Sequence, residues 1–202
     1  MSALPTPIPM STDWIPPQQG QWTIDDYMRL VDPPGFRYEL IEGQLYMSPS
    51  PSFWHQNSLG ELFALMRTFV KEHMLGTVIF APMDVVIDRG GTQTVVQPDL
   101  IFISNERKGI IKRIIEGAPD LLVEVLSAST AQRDQITKVA FYISNGVREY
   151  WIVDPEKRRI EVWVARGTAH IKRGEWHAGD RAPSEVLEGF SVAVDEICPP
   201  LP

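Results

Sequence analysis

The stretch that most constrains this chain runs from Pro119 to Asp154. An apolar run, Leu121 to Leu126, carries a single acid, Glu124, in its middle. Ser127 to Thr130 supply a polar turn able to cap a helix. A helical segment with Asp134 and Lys138 follows, then a second apolar run, Tyr150 to Val153. This order predicts a strand–helix–strand unit with a right-handed parallel crossover. An ionised carboxylate inside an apolar strand is costly unless a positive group pairs with it. Glu124 therefore points to a site rather than to stability.

The 202 residues suit one domain. It is expected over residues 21–202, behind a flexible N-terminal arm, residues 1–20, rich in Pro, Ser, Thr and Gln. The net charge of −7 argues against broad nonspecific affinity for nucleic acid, leaving only a local positive surface for such a partner. The one cysteine, Cys198, allows no internal disulfide and fits a reducing compartment. No apolar run approaches the roughly 20 residues of a membrane span, so no membrane partner is expected. The first residues have neither a basic start nor a continuous apolar segment, so no signal peptide is expected and a cytoplasmic location is the default expectation.

Along the chain, Thr23 caps a helix through Ile24, Tyr27, Met28 and Val31, ended by Pro33-Pro34-Gly35. Phe36 to Met47 reads as two short strands about Gly43, with Glu39 on one face of the first. Residues 53–75 carry the helical stripe Leu59, Leu62, Phe63, Met66, Phe69 and Val70, with Gly76 closing the helix. Thr77–Asp88 and Thr94–Ile103 read as the two strands of a hairpin. Residues 104–118 suggest a short helix with the basic residues Lys108, Lys112 and Arg113. Short strands are expected at 158–165, 169–173 and 184–187. The resulting class is α/β (mixed α+β), with a central mixed sheet flanked by helices and extra C-terminal strands.

Asp99 heads an apolar strand in Gln97-Pro98-Asp99-Leu100-Ile101-Phe102-Ile103, and Glu124 lies 25 residues further on, in the next. If those strands are neighbours, both acids converge on one face, a repulsive arrangement made tolerable by a divalent cation. Oxygen ligands favour magnesium, manganese or calcium over zinc, for which no Cys/His set exists. Asp134, Lys138 and Tyr142, spaced by four, share a helix face that can bring an ammonium group to the same place. Taken alone, Asp99 is as well explained as a turn residue after Pro98, and Asp134 with Lys138 as an ordinary ion pair.

Pro98-Asp99, Glu124 in a strand and a nearby lysine together resemble the PD-(D/E)xK nuclease superfamily. More specifically, YELIEGQLYMSPSP, His55, QPDLIFI, EVLSAST, the helical Arg133-Asp134, Lys138 and Tyr142, and GVREYWIVDP resemble the Uma-two family of restriction-endonuclease-like proteins. The resemblance spans about Thr23 to Phe190. It implies a restriction-endonuclease-like core and a nuclease that uses Mg2+ or Mn2+ to hydrolyse phosphodiesters, DNA being the expected substrate. Asp99 and Glu124 would be metal ligands, Glu39 a further acid of the site, and His55, Asp134 and Tyr142 its neighbours. Leu126 stands where the superfamily's E-x-K motif has lysine, and the resemblance implies Lys138 as its replacement. Nucleases of this kind often act as homodimers, which sets that expectation here. A nuclease fold without chemistry, binding nucleic acid or protein, is the competing expectation.

Overall fold

The computed structural model describes residues 14–31, 36–89, 92–126, 142, 144–167 and 169–200. Thr23 caps α1 (Ile24–Tyr27) in a reciprocal box with Asp26. This helix is one turn long, shorter than the expected run to Val31, because Met28 and Arg29 turn the chain and Leu30 makes a β-bridge. β1 (Phe36–Ile41) and β2 (Gln44–Pro49) form a hairpin. Glu42 and Gly43, at φ 49° and 76°, supply its two-residue turn. Gln19 and Gly20, at the end of the expected arm, bond to this hairpin: the Gln19 amide holds Leu45 and the Gly20 N–H donates to the Gly43 carbonyl.

α2 (Phe53–Glu72) is capped by Ser52 and buries His55, Leu59, Leu62, Met66 and Val70 along one stripe. Its end differs from expectation. Met74, at φ 54°, makes the left-handed turn, and Gly76 is instead the first residue of β3 (Gly76–Phe80). There a Cβ would lie 2.1 Å from the carbonyl oxygen of Ile103 on the neighbouring strand, which is why only glycine fits.

Two prolines decide how the next strands are shared out. The expected strand 77–88 is in fact β3 and β4 (Val85–Arg89), and the expected strand 94–103 is β5 (Thr92–Val96) and β6 (Leu100–Ser104). Pro82 and Pro98 sit in the two breaks. Lacking an N–H, proline cannot continue a ladder, and at each break the chain passes from one sheet to the other. The single expected hairpin is therefore two pairings, β4 with β5 and β3 with β6.

A 3-10 turn (Lys108–Ile110) and β7 (Ile115–Glu116) occupy the expected helical segment, followed by β8 (Leu121–Val125), β9 (Glu149–Asp154), β10 (Arg159–Arg166) and β11 (Ala169–His177). β12 (Arg181–Pro183) and β13 (Ser191–Ala193) flank residues 184–187, which are not the expected strand, and α3 (Val194–Ile197) follows. The five-stranded sheet has the order β2-β1-β5-β4-β7 and the six-stranded sheet the order β11-β10-β9-β8-β6-β3. β8 and β9 are parallel, as a crossover requires, while β6 and β8 are antiparallel neighbours. The fold is thus mixed α/β, with extra strands in its C-terminal part. No helix among the described residues is long and apolar enough to cross a membrane.

The period of two along each strand sorts the larger sheet's side chains into two cores. Leu100, Phe102, Leu121, Val123, Val125, Trp151 and Val153 pack with the buried stripe of α2. Ile101, Ile103, Leu122, Leu126, Tyr150 and Ile152 pack on the opposite face with Val85, Ile87, Val96 and Ile115 of the smaller sheet. The C-terminal segment closes the first core with Leu187, Phe190, Val192, Val194 and Ile197. A buried acid fastens it there: Glu149 accepts hydrogen bonds from Trp151 Nε1 (2.6 Å), Ser184 Oγ (2.7 Å) and the amides of Glu185 (2.7 Å) and Val186 (2.9 Å).

Candidate active site

The same alternation places the acids. Glu124 shares the face of Leu122 and Leu126, so it looks toward the smaller sheet. The antiparallel register pairs Leu100 with Val123. One step further, Asp99 stands across from Glu124, and directly opposed residues share a face. On β1, Tyr38 and Leu40 turn into the N-terminal core, whereas Ile41 packs against the core between the sheets. Arg37 and Glu39 have the parity of Ile41, so they meet Asp99 and Glu124 at the seam between the sheets. Three carboxylates converge there almost wholly out of water: Glu39 is 5%, Asp99 1% and Glu124 8% exposed.

Each has identifiable partners. Asp99 Oδ1 accepts Arg37 Nη1 at 3.1 Å and Nη2 at 3.2 Å and faces His55 Nε2 at 3.3 Å, while Oδ2 accepts the Val125 N–H at 2.8 Å. Glu124 Oε1 accepts the Tyr142 hydroxyl at 3.2 Å, and Glu39 Oε1 accepts the Gln97 N–H at 3.2 Å. The Gln97 side chain donates to Asp84 Oδ1 (2.9 Å) and to the Tyr27 hydroxyl (3.3 Å), fixing the loop that carries Asp99. Arg37 Nε, His55 Nδ1 and Gln97 Oε1 are buried and make no hydrogen bond among the described residues.

Burial works to raise the Asp99 pKa, but the His55 hydrogen bond and charge, the Arg37 guanidinium and the Val125 amide outweigh it and hold the carboxyl below its usual range. Burial likewise opposes the charge on Arg37, and Asp99, Glu124 and Glu39 together overcome it, raising its pKa. Burial first, then the charges of Glu124 and Glu39, push the Tyr142 and Tyr150 phenols well above their usual value. Both phenols are therefore protonated across the neutral range, and Tyr142 is a donor.

Of the residues singled out in the sequence, Glu39, His55, Asp99, Glu124 and Tyr142 come together. Asp134 and Lys138, with the turn 127–130, lie outside the described residues. His55 is not the exposed or capping histidine usual at a helix start: it is buried at the head of the α2 stripe, against Asp99. Arg37 and Gln97 were not legible as site residues, although Arg37 precedes Glu39 by two on a strand and so shares its face.

The sequence pattern of the Uma2 family, described as "Putative restriction endonuclease", matches residues 24–195. The chain belongs to the Uma2 family. Among solved structures it resembles one described as "a putative nuclease belonging to DUF820 from Anabaena variabilis", at 18% identity and a TM-score of 0.73. The match covers 87% of this chain and 97% of that one, and shows a shared fold. No curated protein matches.

The Uma2 resemblance implies a divalent metal ion, and the donors can be tested for it. Three buried carboxylates with no cysteine among them suit a hard cation in kind. Yet no three acids, histidines or cysteines among the described residues are spaced to hold an ion. At Asp99, Oδ1 instead faces two guanidinium nitrogens and an imidazole. The donors suit a hard cation in kind, but as arranged here they do not form a ligand cluster, and Asp99 is turned onto a resident cation.

Proposed function

We propose that this Uma2 protein is a nuclease dependent on Mg2+ or Mn2+ that hydrolyses phosphodiester bonds, with DNA as substrate. The observation that carries this reading is the convergence of Glu39 and Glu124, from two strands, and Asp99, from the loop before β6, on one buried seam beside Arg37. Burying three acids together opposes folding, and such costs are concentrated at sites that use the charge. Asp99 and Glu124, with Glu39 beside them, would hold the ion, which when bound acidifies a water and offsets charge building on the phosphate.

The chain's own residues then orient the donors. His55 Nε2 and the Val125 amide fix the plane of the Asp99 carboxylate. Tyr142, protonated at neutral pH, holds Glu124 through Oε1. Lys138 is assigned the role of the superfamily's missing lysine, stabilising charge on the phosphate or orienting the attacking water. The protein is taken to act in the cytoplasm as a homodimer, checked by sedimentation of the purified chain.

The test is cleavage of supercoiled DNA, linear DNA and RNA with Mg2+ or Mn2+, and with EDTA as control. Cleavage is expected only with the ion, and Asp99→Ala and Glu124→Gln are expected to abolish it while circular dichroism still reports a folded chain. Mg2+ should also raise the melting temperature, by about 2.7 kcal/mol of stability at a hundredfold excess over Kd, and Glu124→Gln should erase that rise. The commitment of Asp99 to Arg37 favours a second reading, a retired nuclease site kept for binding. Nucleic-acid binding insensitive to EDTA, with no cleavage of any substrate, would select it.

A further inference from the structure

We infer that Arg37 is the substrate-phosphate ligand of this site, parked on Asp99 until a divalent cation displaces it. The inference rests on the metal-dependent nuclease reading above and assigns a residue to it.

The Arg37–Asp99 pair is built unlike a permanent clamp. A guanidinium grips a carboxylate best as a fork, with two parallel N–H bonds to two oxygens. Here both Nη1 and Nη2 reach the same oxygen, Oδ1, at 3.1 and 3.2 Å, because Oδ2 is taken by the Val125 N–H at 2.8 Å. His55 Nε2 crowds Oδ1 further at 3.3 Å. Arg37 Nε is buried and makes no hydrogen bond among the described residues, so the fork is left open on one side. Buried donors are normally partnered, and Nε is one of three atoms of this site, with His55 Nδ1 and Gln97 Oε1, that are not. A phosphodiester, with two non-bridging oxygens, would fill the open side of the fork.

Position agrees with this role. Arg37 stands on β1 of the smaller sheet and reaches across the seam to a residue of the larger one. Its side chain is 24% exposed, against 1% for Asp99, so it forms the solvent side of the pair. The chain carries a net charge of −7 and the seam buries three carboxylates. An anionic substrate therefore needs a cation at the mouth of the site. A divalent ion on Asp99 would take over the charge that Arg37 now neutralises, and the freed guanidinium would point its fork at the incoming phosphate.

The experiment measures two affinities that should move in opposite directions. Mn2+ binding is followed by calorimetry for the wild type, Arg37→Gln and Arg37→Lys. Binding of a fluorescent DNA duplex is followed by anisotropy, with Ca2+ in place of the cleaving ions and over a range of salt. Arg37→Gln should bind Mn2+ about tenfold more tightly and the duplex about tenfold more weakly. Its salt slope should shrink by about one charge. Arg37→Lys keeps a cation beside the acids and guards against misfolding; it should lie between the two in both measurements.

Unchanged or weaker Mn2+ binding in Arg37→Gln, with the wild type still binding, would make the guanidinium a fixed brace and overturn the exchange. Tighter Mn2+ binding with unaltered duplex affinity and salt slope would overturn the phosphate role. If none of the three proteins binds Mn2+, the metal-dependent reading itself falls, and this inference with it.

Discussion

Asp99→Asn gives the sharpest test of how the buried seam is balanced. The substitution keeps the shape of the side chain and removes its charge. Asparagine can turn its one carbonyl oxygen toward Arg37 and His55, or toward the Val125 amide, but not toward both. In the first orientation its NH2 group faces the Val125 N–H, which now donates to Oδ2 at 2.8 Å, and a buried donor loses its acceptor. That costs about 1–3 kcal/mol. The contacts from Arg37 and His55, at 3.1 to 3.3 Å, survive as neutral-acceptor bonds and lose roughly another 1–2 kcal/mol together. Relief of repulsion from Glu39 and Glu124 works in the other direction, but at Asp99 the attractions outweigh the opposing terms, as its depressed pKa shows. The net expectation is a loss, on the order of 1–3 kcal/mol, or roughly 2–12 °C in Tm for a chain of this size.

Thermal melts and urea titrations in EDTA at neutral pH measure it, with an unchanged urea slope confirming that only stability moved. The pH dependence has a definite sign. Asp99's folded pKa is depressed, so its contribution is complete above its unfolded pKa of about 3.9 and fades as pH falls through the lower folded value. The gap between wild type and Asp99→Asn should therefore be flat at neutral pH and close in acid. An Asn variant as stable as the wild type, or more so, would refute the balance described here, because it would mean that Arg37, His55 and the Val125 amide do not offset the repulsion among the acids.

Other perturbations have equally definite outcomes. Glu149→Gln should cost about 3–5 kcal/mol, since the new NH2 faces donors on every side, and hydrogen exchange should speed up at the Glu185 and Val186 amides. Tyr142→Phe should cost about 1.5–3 kcal/mol in urea unfolding through loss of the bond to Glu124. Its effect should be constant between about pH 6 and 9, because the phenol is pushed well above its usual value of about 10. Gly76→Ala should lose about 1–3 kcal/mol, because its methyl group would press on the Ile103 carbonyl and β3 would have to shift.

Much of the site could be read from local pattern. Glu124 is conspicuous because an acid interrupts an apolar run, and Asp99 because the next apolar run begins beside it. Their adjacency follows if both runs are neighbouring strands, as β6 and β8 are. Arg37 escaped notice because nothing in FRYELI marks an arginine as turned inward; only the opposed sheet, distant in sequence, makes its face an interior one. His55 was obscured in a similar way, since a histidine in the first turn of a helix is ordinarily wet, and the burial comes from Asp99 reaching it across the fold. The strands at 77–88 and 94–103 were legible as strands but not as pairs of strands. Pro82 and Pro98 stand inside those two expected strands, and no local signal says that the chain changes sheet at each. Gly76 reads locally as the end of a helix, whereas in the fold it makes room for a neighbouring strand.

The fastening of residues 184–186 onto Glu149 bears on how the protein is made. Until the ribosome has released residues 184 to 198, β9 holds a carboxylate with most of its donors missing, and one side of the larger sheet lacks Leu187, Phe190, Val192, Val194 and Ile197. A nascent chain can form the β1–β2 hairpin early, but its larger sheet locks only late in synthesis. Shortened products that stop before Ser184 should therefore be left to chaperones and proteases rather than persist as a working half.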